Sequence, residues 1–316
     1  MRRSIHFVLN PHARRLAREP RLIGRIEAMS RDRAQVWVTR TLDELDEAAR
    51  QVALDRPELV VLCGGDGTFM AGVTALERAY AGGRLPTLAL APAGTVATVA
   101  RNWGTRAGLL AVAEHVLRGE PLLSRERPTL WVREHGGASR VGFTVGTGLV
   151  ARFFDRYYAA GAGGTPAALA IVARIFSGSL IGDGYAKSVL EPLPCTVTMD
   201  GHELPPRAFS LVVSSVLQDL GLHMRVTYRA GIDFDRPHLV ASALPTTKLG
   251  PQWPRVLRGL PLRGPSCFDS LVTSFSVTFP GGALGPYVLD GDVFHASAIQ
   301  VSAGPRLQVL SVLPVS

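Results

Sequence analysis

Along the first third of the chain, short apolar runs alternate with stretches in which apolar residues recur every three or four positions. Ile5–Leu9 is an apolar run that ends at Asn10-Pro11, where proline closes a strand. Leu22, Ile26 and Met29 share one helical face, and Val36-Trp37-Val38 marks a second strand. Thr41-Leu42-Asp43-Glu44 has the form of a capping box, a hydroxyl followed three residues later by a carboxylate. Behind it Leu42, Leu45, Ala49 and Val52 line a helix. Leu59–Leu62 is uniformly apolar, as expected of a strand covered on both faces. A helix from about Thr68 to Ala81 and a strand at Thr87–Ala91 follow. Strand–helix alternation with short links predicts a doubly wound parallel sheet.

From about Leu122 the pattern changes to short β-rich runs. They are Thr129–Arg133, Val141–Val145, Cys195–Met199, Phe209–Ser214, His238–Ala241, Ser274–Phe279 and Leu307–Val312. Turn residues such as Asp200-Gly201 and Pro280-Gly281-Gly282 separate them, which predicts an antiparallel β-sandwich. One helical insert, roughly Thr165 to Ser177, interrupts the series. The expected organisation is an α/β domain over 1–121 and a β-sandwich domain over 122–316, with the last strand free to pack back on the first domain.

Composition narrows the picture only a little. A hydrophobic content of 47% with 19% charged residues describes a folded chain. The net charge of +8 is carried almost entirely by arginine, Lys187 and Lys248 being the only lysines. Such a balance suits anionic partners, nucleotides and anionic lipid headgroups among them. No nucleic-acid partner is expected, because the arginines are spread along the chain without an aromatic-rich basic patch. Cys63, Cys195 and Cys267 form no CxxC pair, which fits a reducing compartment. The apolar stretch Thr165–Ala173 falls far short of the ~20 residues that span a bilayer. The expected location is cytoplasmic, with peripheral contact to an anionic membrane.

The strongest chemical signal is Gly64-Gly65-Asp66-Gly67-Thr68, directly after a buried strand and at the start of a helix. Glycine lets the backbone approach phosphate oxygens, and a helix N-terminus offers free N–H groups with a positive dipole end. Pro92-Ala93-Gly94-Thr95 forms a second phosphate-type turn after the next strand. Neither is a Walker loop, since no Gly-Lys-Ser/Thr follows.

With Asn10-Pro11 ending the first strand, Thr39 ending the second, and Asp290-Gly291-Asp292 near the C-terminus, these blocks resemble the diacylglycerol kinase catalytic family, which includes sphingosine and ceramide kinases. The resemblance implies that Asn10, Thr39, Gly64, Gly65, Asp66, Gly67, Thr68, Gly94 and Thr95 line an ATP site. It implies that Asp290 and Asp292 sit across an interdomain cleft, one of them the catalytic base. It further implies Mg²⁺ as cofactor, with Asp66 helping to hold it, and a structural Mg²⁺ near Ile232-Asp233-Phe234-Asp235, where Asp235 is the better ligand.

The chain departs from the family where many relatives carry Asn-Glu, here Met70-Ala71, and Asn-Asp, here Val96-Ala97-Thr98. Pro92-Ala93-Gly94 looks more like ceramide and sphingosine kinases than diacylglycerol kinases, which leans the acceptor toward ceramide or a sphingoid lipid with diacylglycerol second. The insert around Phe153, Tyr157, Ile171 and Phe176, punctuated by Arg152, Arg156 and Arg174, reads either as an acyl-chain or membrane element or as a core helix. Two other functions remain open: an NAD kinase, which Gly64–Phe69 also suits, and a nucleotide- or lipid-binding protein without catalysis.

Overall fold

The computed structural model describes residues 4–94, 97–161 and 164–312. Two compact units emerge. One runs through Arg127 and is rejoined from Arg306 onward; the other is Pro128–Pro305.

The first unit holds a six-stranded sheet in the order Gln35–Val38, Ile5–Leu9, Leu59–Gly64, Thr87–Pro92, Leu307–Val312, Leu122–Arg127. Its strands are parallel except the last, which runs antiparallel to Leu307–Val312. Every residue of Ile5–Leu9 and Leu59–Gly64 is buried, because helices cover both faces. On one face Phe7, Leu9, Val61 and Cys63 pack with Ile26 and Val112 from helices Arg21–Ser30 and Leu109–Arg118. One residue along the strand, Leu62 points to the other face and meets helix Asp66–Tyr80 at Gly72. A Cβ there would lie 3.1 Å from the Leu62 methyls. Thr41 caps helix Leu42–Asp55, its hydroxyl accepting from the Glu44 N–H at 3.1 Å. The Glu44 carboxylate accepts from the Arg40 N–H, one residue ahead of the position a capping box uses.

The second unit contains two six-stranded antiparallel sheets. One runs His202–Glu203, Thr196–Met199, Ser274–Thr278, Ala298–Ala303, Leu130–Glu134, Ser139–Gly142. The other runs Cys267–Leu271, His238–Ser242, Leu211–Ser215, Thr144–Gly148, Gly285–Leu289, Asp292–Ala296. The sequence pattern predicts one strand across Val141–Val145, but the structure divides it. Ser139–Gly142 ends in one sheet, Phe143 forms the corner, and Thr144–Gly148 begins in the other. An alternating run has the same periodicity whichever sheet takes it, so the break is set from outside, by the Asp290 side chain described below. The insert comprises helices Leu149–Ala159, Thr165–Ile181 and Gly184–Leu190. Its inner face is core: Ile171 and Ile175 pack with Val189, Leu211 and Val240.

A polar tie crosses between the two sheets. Tyr287, fully buried on Gly285–Leu289, donates its hydroxyl to Glu134 Oε1 at 2.5 Å in the opposite sheet. Arg140 donates to the same oxygen at 2.6 Å and stacks over the Phe294 ring. Burial pushes the Glu134 pKa up, but these hydrogen bonds together hold it below the usual carboxylate range. Tyr287→Phe leaves the shape intact and strips a half-buried carboxylate of one donor. The expected cost is about 1–3 kcal/mol, read as a lower urea midpoint at unchanged denaturant dependence.

Candidate functional site

In the first unit the chain leaves Ile5–Leu9 for the outer strand Gln35–Val38, then returns to Leu59–Gly64 on the opposite side. The direction of winding therefore reverses between Ile5–Leu9 and Leu59–Gly64. Open α/β sheets bind ligands beyond the carboxyl ends of strands at such a switch point. The residues found there are those the sequence motifs single out. Asn10 follows the first strand, and its Nδ2 donates to Thr68 Oγ1 at 2.9 Å, while its Oδ1 accepts from the His12 N–H at 2.9 Å. Thr39 is buried at the end of the second strand, with its N–H donated to the Leu9 carbonyl at 2.9 Å.

The glycine run opens helix Asp66–Tyr80, whose N-cap Gly65 provides no side-chain cap. The first-turn N–H groups of Asp66, Gly67 and Thr68 are therefore available to an anion. Gly64 has no room for a side chain: a Cβ would fall 2.4 Å from Thr68 Oγ1. Gly65 lies directly against the second turn. A Cβ on Gly94 would sit 2.6 Å from the Gly65 Cα, and one on Gly65 would sit 3.3 Å from the Gly94 Cα. The Ala93 N–H donates to the Gly64 carbonyl at 2.7 Å, which locks the two turns together. Thr95 lies outside the described residues.

Asp66 secures the same junction from below. Its two carboxylate oxygens accept from the Thr98 and Val99 N–H groups at 2.9 and 3.0 Å, the start of helix Thr98–Asn102. Burial raises its pKa, and those N–H groups act against the rise.

In the second unit, Asp290 and Gly291 are the two loop residues of a hairpin between Gly285–Leu289 and Asp292–Ala296. Both have positive φ, +50° and +98°, as a type I′ turn requires. The Asp290 carboxylate accepts from the Phe143 and Thr144 N–H groups at 2.9 and 2.8 Å, and the Asp290 N–H donates back to the Thr144 carbonyl. That carboxylate fixes the corner where the chain changes sheets. Asp292 differs. Its backbone pairs with Leu289 in the ladder, but its carboxylate makes no hydrogen bond to another described residue; the residue is exposed, yet the protein around its carboxyl desolvates it enough to raise its pKa. Asp235 lies elsewhere in this unit, exposed on a loop, with its N–H donated to Asp233 Oδ1.

One neighbour of the acidic turn escapes a motif-based reading. Tyr158 donates its hydroxyl to the Gly291 carbonyl at 2.7 Å, and Phe154 rests beside Gly291. Burial and then the nearby Asp292 charge raise the Tyr158 pKa. The i, i+4 spacing of Phe154 and Tyr158 puts both on one face of helix Leu149–Ala159 and is the one sequence signal for the pair. Among the described residues no group of three His, Cys, Asp or Glu side chains could hold a metal ion.

The whole-chain fold is shared with solved structures from Bacillus anthracis str. Sterne. One is described as a diacylglycerol kinase; at 15% identity the match covers 95% of this chain and 93% of that one, with a TM-score of 0.61. Another, a candidate diacylglycerol kinase, is 17% identical with 96% of each chain covered and a TM-score of 0.66. No curated protein matches by sequence. Residues 4–123, which contain every first-unit motif described above, match the family model of the diacylglycerol kinase catalytic domain, and with that match the lipid-kinase resemblance carried by the motifs stands.

Proposed function

We propose that the protein transfers the γ-phosphoryl group of ATP to the primary hydroxyl of a membrane lipid. The observation that carries this reading is the joined pair of glycine turns at the switch point, an anion site built from backbone, within a segment matching a lipid-kinase catalytic domain. Phosphoryl transfer asks mainly for positioning and charge stabilisation. Asn10 and Asp66 hold the two turns, and the helix start at Gly65–Thr68 faces the phosphates.

Asp292 is our candidate for the base that takes the hydroxyl proton, because Asp290 is already spent on the Phe143 and Thr144 N–H groups. A raised pKa makes a carboxylate a better proton acceptor. Mg²⁺ fits the described residues poorly. Both Asp66 oxygens accept backbone hydrogen bonds, and Asp235 stands on a loop with no cluster of ligands. An ion of this kind is commonly held by substrate phosphates with one or two carboxylates, so no step is assigned to it.

For the acceptor we place diacylglycerol first and ceramide second. Ala93, the residue that likens Pro92-Ala93-Gly94 to ceramide kinases, is buried, its N–H and C=O bonded to Gly64 and Arg15. With its backbone groups spent in this way Ala93 no longer argues for ceramide, and the solved structure that shares the fold is described as a diacylglycerol kinase. Radiolabelled ATP with mixed micelles of diacylglycerol, ceramide or sphingosine, and NAD alongside, tests the reading. Label on a lipid supports it, and label on NAD alone transfers the protein to the rival kinase class.

Two further outcomes are expected. Gly94→Ala should raise KM for ATP by ~10-fold or more, and Gly65→Ala by less, since the first methyl would fall 2.6 Å from backbone and the second 3.3 Å from it, a tight contact that asks for a much smaller shift; each tenfold corresponds to about 1.4 kcal/mol of lost phosphate binding. Asp292→Asn should lower kcat by about 10²–10⁴. In the unmodified protein kcat/KM should fall as pH drops through the Asp292 pKa, at a pH above the ordinary aspartate value of about 3.9. That acidic limb should vanish in Asp292→Asn; a limb that persists there means another group is the base.

A further inference from the structure

Helix Thr165–Ile181 buries one face in the second unit and leaves the other without a partner. Ile171, Val172 and Ile175 point inward. Outward stand Leu169, Leu180 and Ile181, with 48%, 57% and 83% of their surface exposed, among small residues such as Ala170 and Ala173. An exposed helical face of a water-facing helix is normally polar. Between Gly164 and Gly182 there is no acidic residue, and Arg174 is the single charge.

The rim of this face is cationic. Arg174 lies over the Tyr185 ring with its guanidinium 3.8 Å from the ring centre, and Arg156 approaches the same ring and donates to Ser188 Oγ. Lys187 is exposed, its stem beside Gly182 at the end of the helix. The next helix, Gly184–Leu190, turns away by 107°, and no single described helix is long and apolar enough to cross a membrane. An apolar face bordered by cations, on a helix whose other face is core, suits an element that lies in the surface of a bilayer.

We propose that this face docks on an anionic membrane, with Leu169, Leu180 and Ile181 at the boundary of the acyl chains and Arg156, Arg174 and Lys187 among the headgroups. The absence of acidic residues from Thr165–Ile181 itself favours a negatively charged lipid surface over a second copy of this basic chain. The proposal rests on the lipid-kinase reading only for its purpose, because docking is measurable without phosphoryl transfer.

The test is co-sedimentation of the full chain with phosphatidylcholine vesicles, with and without phosphatidylserine. The expected result is binding that requires phosphatidylserine, about fivefold weaker for Arg174→Gln and at least ~10-fold weaker for the double variant Leu180→Asp, Ile181→Asp. Leu54→Asp, equally exposed but on helix Leu42–Asp55 of the first unit, should bind as the unmodified chain does. Unchanged far-ultraviolet circular dichroism in all three variants would tie the losses to the surface. Equal binding by the double variant, or no binding by the unmodified chain, would overturn the proposal. So would self-association that the double variant abolishes in the absence of vesicles, since the face would then belong to a second copy.

Discussion

The first unit depends on two peptide turns that touch with no side chain between them. The Gly65 and Gly94 Cα atoms lie so close that a single methyl on Gly94 would fall 2.6 Å from its neighbour. That closeness brings two strand ends, Leu59–Gly64 and Thr87–Pro92, into one short backbone surface. Their register pairs Gly64 with Pro92, so the parallel ladder delivers both turns to the same level. Everything else at this end of the sheet braces the contact. The Ala93 N–H ties the second turn to Gly64, Asn10 ties the first strand to Thr68, and Asp66 reaches across to the start of Thr98–Asn102.

Aspartate plays a similar part in the second unit. Asp66 and Asp290 are the acidic residues that a motif reading most readily assigns to metal or proton transfer. In the structure each spends its carboxylate on two consecutive backbone N–H groups. A short carboxylate bonded in this way satisfies two buried donors at once, where a neutral side chain would satisfy fewer. The geometry it fixes is a helix start in one case and a sheet-changing corner in the other. Asp292, two residues further on, has no such duty. An acidic motif can therefore divide its carboxylates, one holding the turn and the next left without such bonds.

This division was not legible in the sequence, whereas much of the frame around it was. The alternation of apolar runs and helical stripes up to Thr87–Pro92 gives the parallel sheet directly, because strands buried on both faces are uniformly apolar. Thr41 is recognisable as a cap from local chemistry alone. The failures lie where a distant residue decides. Val141–Val145 alternates like one strand, and only Asp290, far along the chain, breaks it at Phe143. Leu122–Arg127 is mostly exposed and is not among the strands the pattern predicts, yet it forms an edge strand by pairing with Leu307–Val312. Asp290-Gly291, read from the sequence as part of an acidic motif, is also the two-residue turn of a hairpin whose strands are too mixed in polarity to declare themselves.

The departures from the family pattern acquire a physical meaning in this frame. Met70, where many relatives carry asparagine, is buried on the packed face of helix Asp66–Tyr80 together with Phe69 and Val73. A polar group there would enter the core of this chain and gain no access to a ligand. Ala97, in the second departing stretch, is also buried, with φ at +54°. Side chains at these positions thus serve packing here, and the proposed phosphate site is left to backbone N–H groups and the helix start. Backbone donors do not change with the side chain that carries them, so such a site does not depend on polar side chains at positions 70 and 97. It cannot tolerate a change at Gly65 or Gly94 that moves the backbone itself.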